Sequence, residues 1–262
     1  MSMPLATHVS SENSLLKTLF SHDGHRLRPH LEPVLLPPGK VLYDCGDLIH
    51  HVYFPLDSVV FLLANMEDGA TAEVGVVGYE GVLGISVCMG ADTTPNQAVA
   101  LIANRAIRLR AEVLQDEFAR GGLLQLLLLR YMHALFIQVS QTAACNRIHH
   151  MEGRLCRWLL MVHDRLKSDQ LPLTQEFIAN MLGTHRPYVT VAAGLLQKEG
   201  VIHCQRGYII IRDRQGLESR ACECYGIVRE EYDRLNETAN YVSNIRRPVS
   251  GFKLRNETGA TA

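Results

Sequence analysis

The stretch "LPLTQEFIANMLGTHRPYVTVAAGLLQKEGVIHCQRGYIIIRD", residues 171–213, leaves a folding chain few options. Thr174 is a good helix N-cap, with Leu173 before it and Phe177 and Ile178 after it in staple-like positions. Ala179, Met181 and Leu182 fill one face, and Gly183 suits the left-handed turn that ends a helix. Thr184 is placed to cap a second helix, in which Val189, Ala192, Ala193 and Leu196 recur at helical spacing. Two short helices joined by a tight Gly turn make a helix-turn-helix. The residues that follow read as strand, Arg206-Gly207 turn, strand: a hairpin wing.

The rest of the 262-residue chain divides into two patterns. From Val34 to Leu114 strand-sized apolar runs alternate with turn residues. Pro37-Pro38-Gly39 and Asp68-Gly69 mark turns, and Asn104-Arg105 reads as a turn between the last two strands. Many short strands with frequent Gly turns predict a small barrel or jelly roll. A short helix is expected around Leu15 to Ser21. From Asp116 to about Lys167 turn signals nearly vanish. Leu128, Met132, Leu135, Val139 and Thr142 alternate in spacings of four and three, a coiled-coil-like stripe that needs a partner, either the barrel or the same helix of a second chain. Gly153 is the expected break in this run, and Trp158, Leu159, Leu160 and Val162 carry an apolar face beyond it. "LESRACECYGIVREEYDRLNETANY" reads as one further helix, and "RRPVSGFKLRNETGATA" as a disordered tail.

Charge is uneven along the chain. Residues 1–145 carry nine Lys/Arg against fourteen Asp/Glu, whereas residues 146–214 carry ten against six. An acidic front and a basic back fit a sensor joined to an anion binder. The seven cysteines are scattered, odd in number and without a C-x-x-C pair. With no signal-peptide pattern at the N-terminus, they predict reduced thiols in a cytoplasmic protein. The most apolar run, Leu123 to Leu129, is too short to span a bilayer, so no membrane partner is expected.

The second helix of the pair opens on His185-Arg186-Pro187. Proline costs little in a first turn, whose N–H groups lack intrahelical partners. Such a helix end favours phosphate, and Arg186 can fork onto guanine O6 and N7. Tyr188 and Thr190 stay polar on the outward side, and Gln175 can reach phosphate from the preceding helix. The bland alternative is a helical hairpin in a core with Arg186 solvated, and the wing with Arg206 at its tip argues against it.

"LTQEFIANMLGTHRPYVTVAAGLLQKEGVI" followed by "RGYIII" resembles the winged-helix domain of the Crp/Fnr family of bacterial transcription regulators. "VLYDCGDLIHHVYFPLDSVVFLLANMEDG" resembles that family's cyclic-nucleotide-binding-like barrel, and "RYMHALFIQVSQTAACNRIHHMEGRLCRWLL" its long dimerisation helix and the helix after it. The likeness runs from about residue 30 to 215 and implies an α+β chain in four parts. These are an N-terminal barrel (jelly-roll) sensor at 1–117, a dimerisation helix at 118–150, a winged helix-turn-helix at 151–215, and a C-terminal helix with its tail at 216–262. It implies a homodimer regulating transcription at palindromic sites in double-stranded DNA, and it allows RNA polymerase as a further partner. The DNA-contacting set would be Thr174, Gln175, Thr184, His185, Arg186, Pro187, Tyr188, Thr190 and Arg206.

The chain departs from the family pattern at both ends of the mechanism. Relatives resembling the cyclic-AMP receptor place an Arg-Glu pair and a later Arg on the recognition helix. Here Arg186 keeps the first Arg, while Pro187 and Val191 stand at the other two positions. In the sensor, Gly78 to Gly84 aligns with the ribose-binding Gly-Glu segment, and Asn96-Gln97 stands where a phosphate-clamping Arg-Ser is expected. An effector pocket by this alignment would use Gly78, Glu80, Gly81, Gly84, Asn96 and Gln97, with Glu80 read as a solvated loop carboxylate. A buried phosphate without its Arg loses its main charge-assisted contact, which argues against cyclic AMP in the usual mode. No other effector is specified, and no cofactor or metal is expected. Cys222 and Cys224, read as helical, would point apart, as would the adjacent pairs His50-His51 and His149-His150.

Two other functions fit parts of the chain. A cupin-like metalloenzyme would need clustered His and Glu, but residues 34–114 hold only His50 and His51. A ligand-binding module could use its helix-turn-helix on protein instead of DNA. Neither accounts for the wing and the basic back together, and a non-enzymatic regulator is the expectation.

Overall fold

Turn-punctuated apolar runs become seven antiparallel strands in two sheets. These are β1 (Glu32–Leu36), β2 (Lys40–Tyr43), β3 (His51–Pro55), β4 (Val59–Asn65), β5 (Thr71–Val77), β6 (Gln97–Ile102) and β7 (Asn104–Arg110). One sheet has the order β1-β7-β3 and the other β2-β6-β4-β5. The computed structural model describes residues 12–22, 24–102, 104–166 and 168–237. The expected disordered tail lies outside these residues. Helix α1 (Ser14–Phe20), capped by Asn13, covers the barrel's edge near the predicted position.

The Asp68-Gly69 hairpin forms as expected between β4 and β5, with Gly69 at φ +84°. The Asn104-Arg105 turn does not form. Both residues belong to β7, and β6 and β7 lie in different sheets, so the chain changes sheet between Ile102 and Asn104. Arg105 is instead tied across the corner to Asp57, with a backbone N–H bond at 2.7 Å and an ion pair at 2.7 Å. Strand β4 buries Val59, Val60 and Phe61 in succession. A continuous apolar run is what a strand covered on both faces requires. The second cover comes from helices beyond the barrel.

Helix α2 (Ala111–Ala119) stops at Gly121 and Gly122, both at φ +81°, a break that the turn signals did not predict. Then come α3 (Leu123–Ile148) and α4 (Met151–Leu166). The interruption between them lies at His149, whose backbone is extended, and not at Gly153, which sits inside the first turn of α4. By length and composition alone, α3 would pass as a membrane span. Its apolar residues are shared between two faces, one packed on the chain's own body and one exposed.

That division splits the predicted stripe, most of it meeting the chain's own body, the first of the two partners expected. Leu128 and Thr142 are buried against the chain, and Leu135 packs on the core. The exposed apolar row is Leu129, Phe136 and Val139, with the half-buried Met132 and exposed Ala143 completing spacings of three and four. The heptad is present, but it runs one residue over at three of its five positions.

Four pieces meet at the barrel's Gly78-Tyr79-Glu80-Gly81 corner. Glu80 is buried, which corrects its reading as a solvated carboxylate. Its Oε1 accepts from Arg165 Nε of α4 at 2.7 Å and from the Gly78 N–H at 3.1 Å. Arg165 also donates to Gln138 Oε1 of α3 at 2.9 Å and lies 5.3 Å from the ring centre of Tyr232. A Cβ at Gly81 would stand 2.5 Å from the Tyr131 ring, so only glycine lets α3 approach this closely.

Below this corner lies the helix-turn-helix, α5 (Gln175–Met181) and α6 (Arg186–Lys198), with a sheet of order β8-β10-β9. Its strands are β8 (Gln170–Leu171), β9 (Ile202–Gln205) and β10 (Tyr208–Ile211). Phe61 of the barrel stacks on Trp158 and meets Phe177 edge-on, at centroid separations of 5.9 and 5.7 Å. Trp158 Nε1 donates to the buried Glu73 of β5. Burial pushes the Glu73 carboxyl above its ordinary range, and Trp158's N–H pulls it back. The predicted C-terminal helix is in fact two, α7 (Arg214–Arg220) and α8 (Cys224–Asn236). Helix α8 packs along α3, burying Cys224 and Val228, while Ile227 faces outward.

Candidate nucleic-acid interface

The turn between α5 and α6 closes by backbone bonds. Gly183, at φ +57°, donates to Asn180 O at 3.1 Å, and Thr184 N donates to Ala179 O at 2.9 Å. This is the double closure of a Schellman motif. It consumes Thr184 as the last residue of the first helix's ending, so Thr184 does not cap α6. His185 holds the N-cap position, with extended backbone and no side-chain capping bond. Arg186 and Pro187 open the helix proper. Thr174 caps α5 as expected, accepting from the Phe177 N–H at 3.1 Å.

The structure gathers the residues singled out in the sequence. Thr174, Gln175, Arg186 and Arg206 line one groove of about 270 Å³ between the start of α6 and the wing. Arg206 stands at the wing's turn beside Gly207 at φ +80°. Arg186 is exposed, and among the described residues its guanidinium meets the loose, exposed carboxylate of Glu176 at 3.8 Å. An exposed pair at that distance contributes little and can be exchanged for another anion. The Thr190 hydroxyl lies 2.8 Å from Gln175 Oε1 and 3.1 Å from Arg186 O. It therefore braces the two helices, and its reach toward a ligand is shared with that task. Thr184 and His185 border a separate gap of about 380 Å³ against Met66 and Ala70–Ala72 of the barrel hairpin.

The outward face of α6 carries a row missing from the candidate set. Val191 is 65% exposed and Leu195 47%, in line with Tyr188 at 61%. The family resemblance places Val191 at a base-reading position, but does not join it to Leu195 and Tyr188 as one face. Only the burial of Val189, Ala192, Ala193 and Leu196 shows which apolar set faces out.

The effector positions do not assemble in the same way. Glu80 is committed to Arg165, while the Gln97 amide donates to Asp44 Oδ1 at 3.1 Å and the Asn96 N–H bonds to Thr94. Gly84 turns left-handed at φ +80° beneath the Tyr43 hydroxyl. The cleft of about 240 Å³ beside Glu80 is walled by Tyr79, Asp164, Arg214, Tyr225 and Arg229, and by neither Asn96 nor Gln97.

Residues 153–220 match the model of the Crp-like helix-turn-helix domain. No curated protein matches the chain by sequence. Among solved structures, FixK2 from Bradyrhizobium japonicum is 16% identical, with TM-score 0.64 over 73% of this chain and 98% of that one. The c-di-GMP-responsive global regulator CLP of Xanthomonas campestris is 16% identical, with TM-score 0.59 over 71% and 96%. The Crp/Fnr-family regulator TTHA1359 of Thermus thermophilus is 22% identical, with TM-score 0.59 over 72% and 98%. At these identities the likeness is one of fold.

Proposed function

We propose that this chain, which has the fold of Crp/Fnr transcription regulators and a Crp-like helix-turn-helix domain, is a sequence-specific DNA-binding regulator acting as a homodimer. The observation that carries the reading is the shared groove of Thr174, Gln175, Arg186 and Arg206. It joins an exposed, loosely paired guanidinium at a helix start to a basic wing tip, the arrangement that suits one major-groove edge and its flanking phosphates. Arg186 reads a base, and Gln175, His185 and Arg206 hold the backbone. Pairing along the exposed α3 row would set two recognition helices about 34 Å apart, one turn of DNA. The barrel receives the signal, and cyclic AMP in the usual mode is not that signal.

Arg186→Ala is expected to cost about 1–3 kcal/mol in DNA binding and to relax preference at one base position. Selection of a random DNA pool with wild type and variant measures both. Unchanged affinity and unchanged sequence preference would remove Arg186 from the interface.

The apolar row Tyr188-Val191-Leu195 gives the half-site a second character. With no guanidinium at position 191, the middle of the helix favours thymine methyl groups over guanine. Replacing thymine by uracil under this row is expected to weaken binding by about 0.8 kcal/mol per methyl, roughly fourfold. Equal affinity for the two DNAs would show that Val191 and Leu195 do not touch the bases.

A further inference from the structure

Four potential metal ligands converge where α3 ends and α8 begins. Cys145 lies in the last full turn of α3, and His149 caps that helix. Cys222 lies in the link after α7, and Cys224 is the first residue of α8. Because Cys222 precedes the helix, the divergence of helical residues two apart does not apply to this pair. The three sulfurs and one imidazole nitrogen all lie within 4.8 Å of one another. Cys145 Sγ is 3.4 Å from Cys222 Sγ, and Cys224 Sγ is 3.6 Å from His149 Nδ1.

The two closest of these separations are those of a mononuclear tetrahedral site, and the other ligand atoms need draw in by no more than about 1 Å. Zinc–sulfur bonds of about 2.3 Å and zinc–nitrogen bonds of about 2.0 Å place ligand atoms about 3.5–3.8 Å apart. A disulfide would need the sulfurs at about 2.05 Å. A multi-iron cluster would hold its own metal and sulfide core between the thiolates and spread them further.

The surroundings are organised for a metal as well. His149 Nε2 is 3.1 Å from Glu223 Oε1. A carboxylate that takes the Nε2 proton leaves Nδ1 with its lone pair toward the cysteines, the usual outer support of a metal-bound histidine. Three thiolates and a neutral imidazole around a divalent ion leave one net negative charge. Arg154 and Arg157, within electrostatic reach of the thiols, each bury a guanidinium Nε that has no hydrogen-bond partner among the described residues. Arg157 is anchored one turn before Cys145, on the Thr142 hydroxyl at 3.1 Å.

We propose that Cys145, His149, Cys222 and Cys224 bind one zinc ion, which staples the C-terminal helix α8 to the end of α3 beside the α3–α4 break. Binding deprotonates the three thiols and releases their protons to solvent, with no change of oxidation state. The site stands independently of DNA recognition, since none of its residues lies in the groove at α6.

The test uses the full-length protein, purified under reducing, anaerobic conditions. Elemental analysis is expected to find one zinc per chain. Replacing it with cobalt is expected to give the intense visible bands of tetrahedral, thiolate-bound Co²⁺. Cys145→Ser and Cys224→Ser should each abolish those bands, whereas Cys88→Ser and Cys204→Ser should leave them. Glu223→Gln, which keeps all four ligands, should lower zinc affinity about 10–100-fold. Wild-type protein that takes up neither zinc nor cobalt overturns the proposal without reliance on any variant's folding. So does isolation of a metal-free Cys145–Cys222 disulfide as the stable form, or cobalt bands that survive loss of Cys145 and Cys224 together.

Discussion

A Phe136→Glu variant is expected to be a folded monomer that has lost most of its affinity for a palindromic DNA site. Phe136 is 67% exposed, so its replacement leaves no hole in the chain's own core. A change at such a position moves the folding free energy by no more than about 0.5 kcal/mol. In a dimer, the same position faces its symmetry mate in a row with Leu129, Met132, Val139 and Ala143. Two glutamates there would be desolvated against apolar side chains and against each other. Losing the second half-site contact removes the gain from linking two binding modules, roughly 10²–10⁴-fold in DNA affinity. Sedimentation equilibrium and fluorescence anisotropy with a labelled palindrome read the two effects separately. A Leu128→Glu change should behave differently, because Leu128 is buried against the chain and its loss unfolds before it dissociates. A variant at position 136 that stays dimeric and binds DNA tightly would place the dimer elsewhere.

The second large effect concerns stability. Glu80→Ala leaves the Arg165 guanidinium buried with Gln138 Oε1 and Met161 O but without the carboxylate bonded to it, Asp164 acting on it only from a distance. Breaking a buried pair by removing one partner costs about 3–5 kcal/mol. Burial is the largest influence on Arg165 and opposes its charge, and the Glu80 carboxylate leads the groups, Tyr232 and Asp164 among them, that together hold the guanidinium pKa above its ordinary value. Replacing both partners, as in Glu80→Leu with Arg165→Met, should recover most of the loss, since neither charge is then stranded. Urea unfolding of the three proteins decides between this account and one of simple cavity formation. Cavity formation alone predicts that the double variant is no better than the single. The pair also joins the barrel to the helix leading into the DNA-binding domain. Glu80→Ala should therefore loosen the coupling between the two halves.

The helix-turn-helix and wing are legible in the sequence because their determinants are local. Thr174 caps its own helix, Gly183 supplies the one left-handed residue, and Arg206-Gly207 forms the wing's turn. The cap of α6 lies one residue beyond its expected place. Thr184 looks like a cap in isolation, yet its N–H is already consumed by Ala179 of the preceding helix. Two neighbouring motifs compete for one residue, and the helix ending takes it.

Beyond such local matters, the barrel and its hairpin, the long helix and the winged helix-turn-helix are all legible in the residues alone. Periodicity, caps and glycine turns act within a few residues of each other. The tertiary structure alone decided which face of α3 was left over for a partner. A helix apolar on two sides does not say which side its own barrel will cover. It alone decided that Glu80 pairs with Arg165, a partner 85 positions away, and lies buried instead of standing in solvent. It alone brought Cys145 and His149 within bonding reach of Cys222 and Cys224. Each of these depends on contacts between distant segments, and side-chain spacing along one segment carries no record of what packs against it.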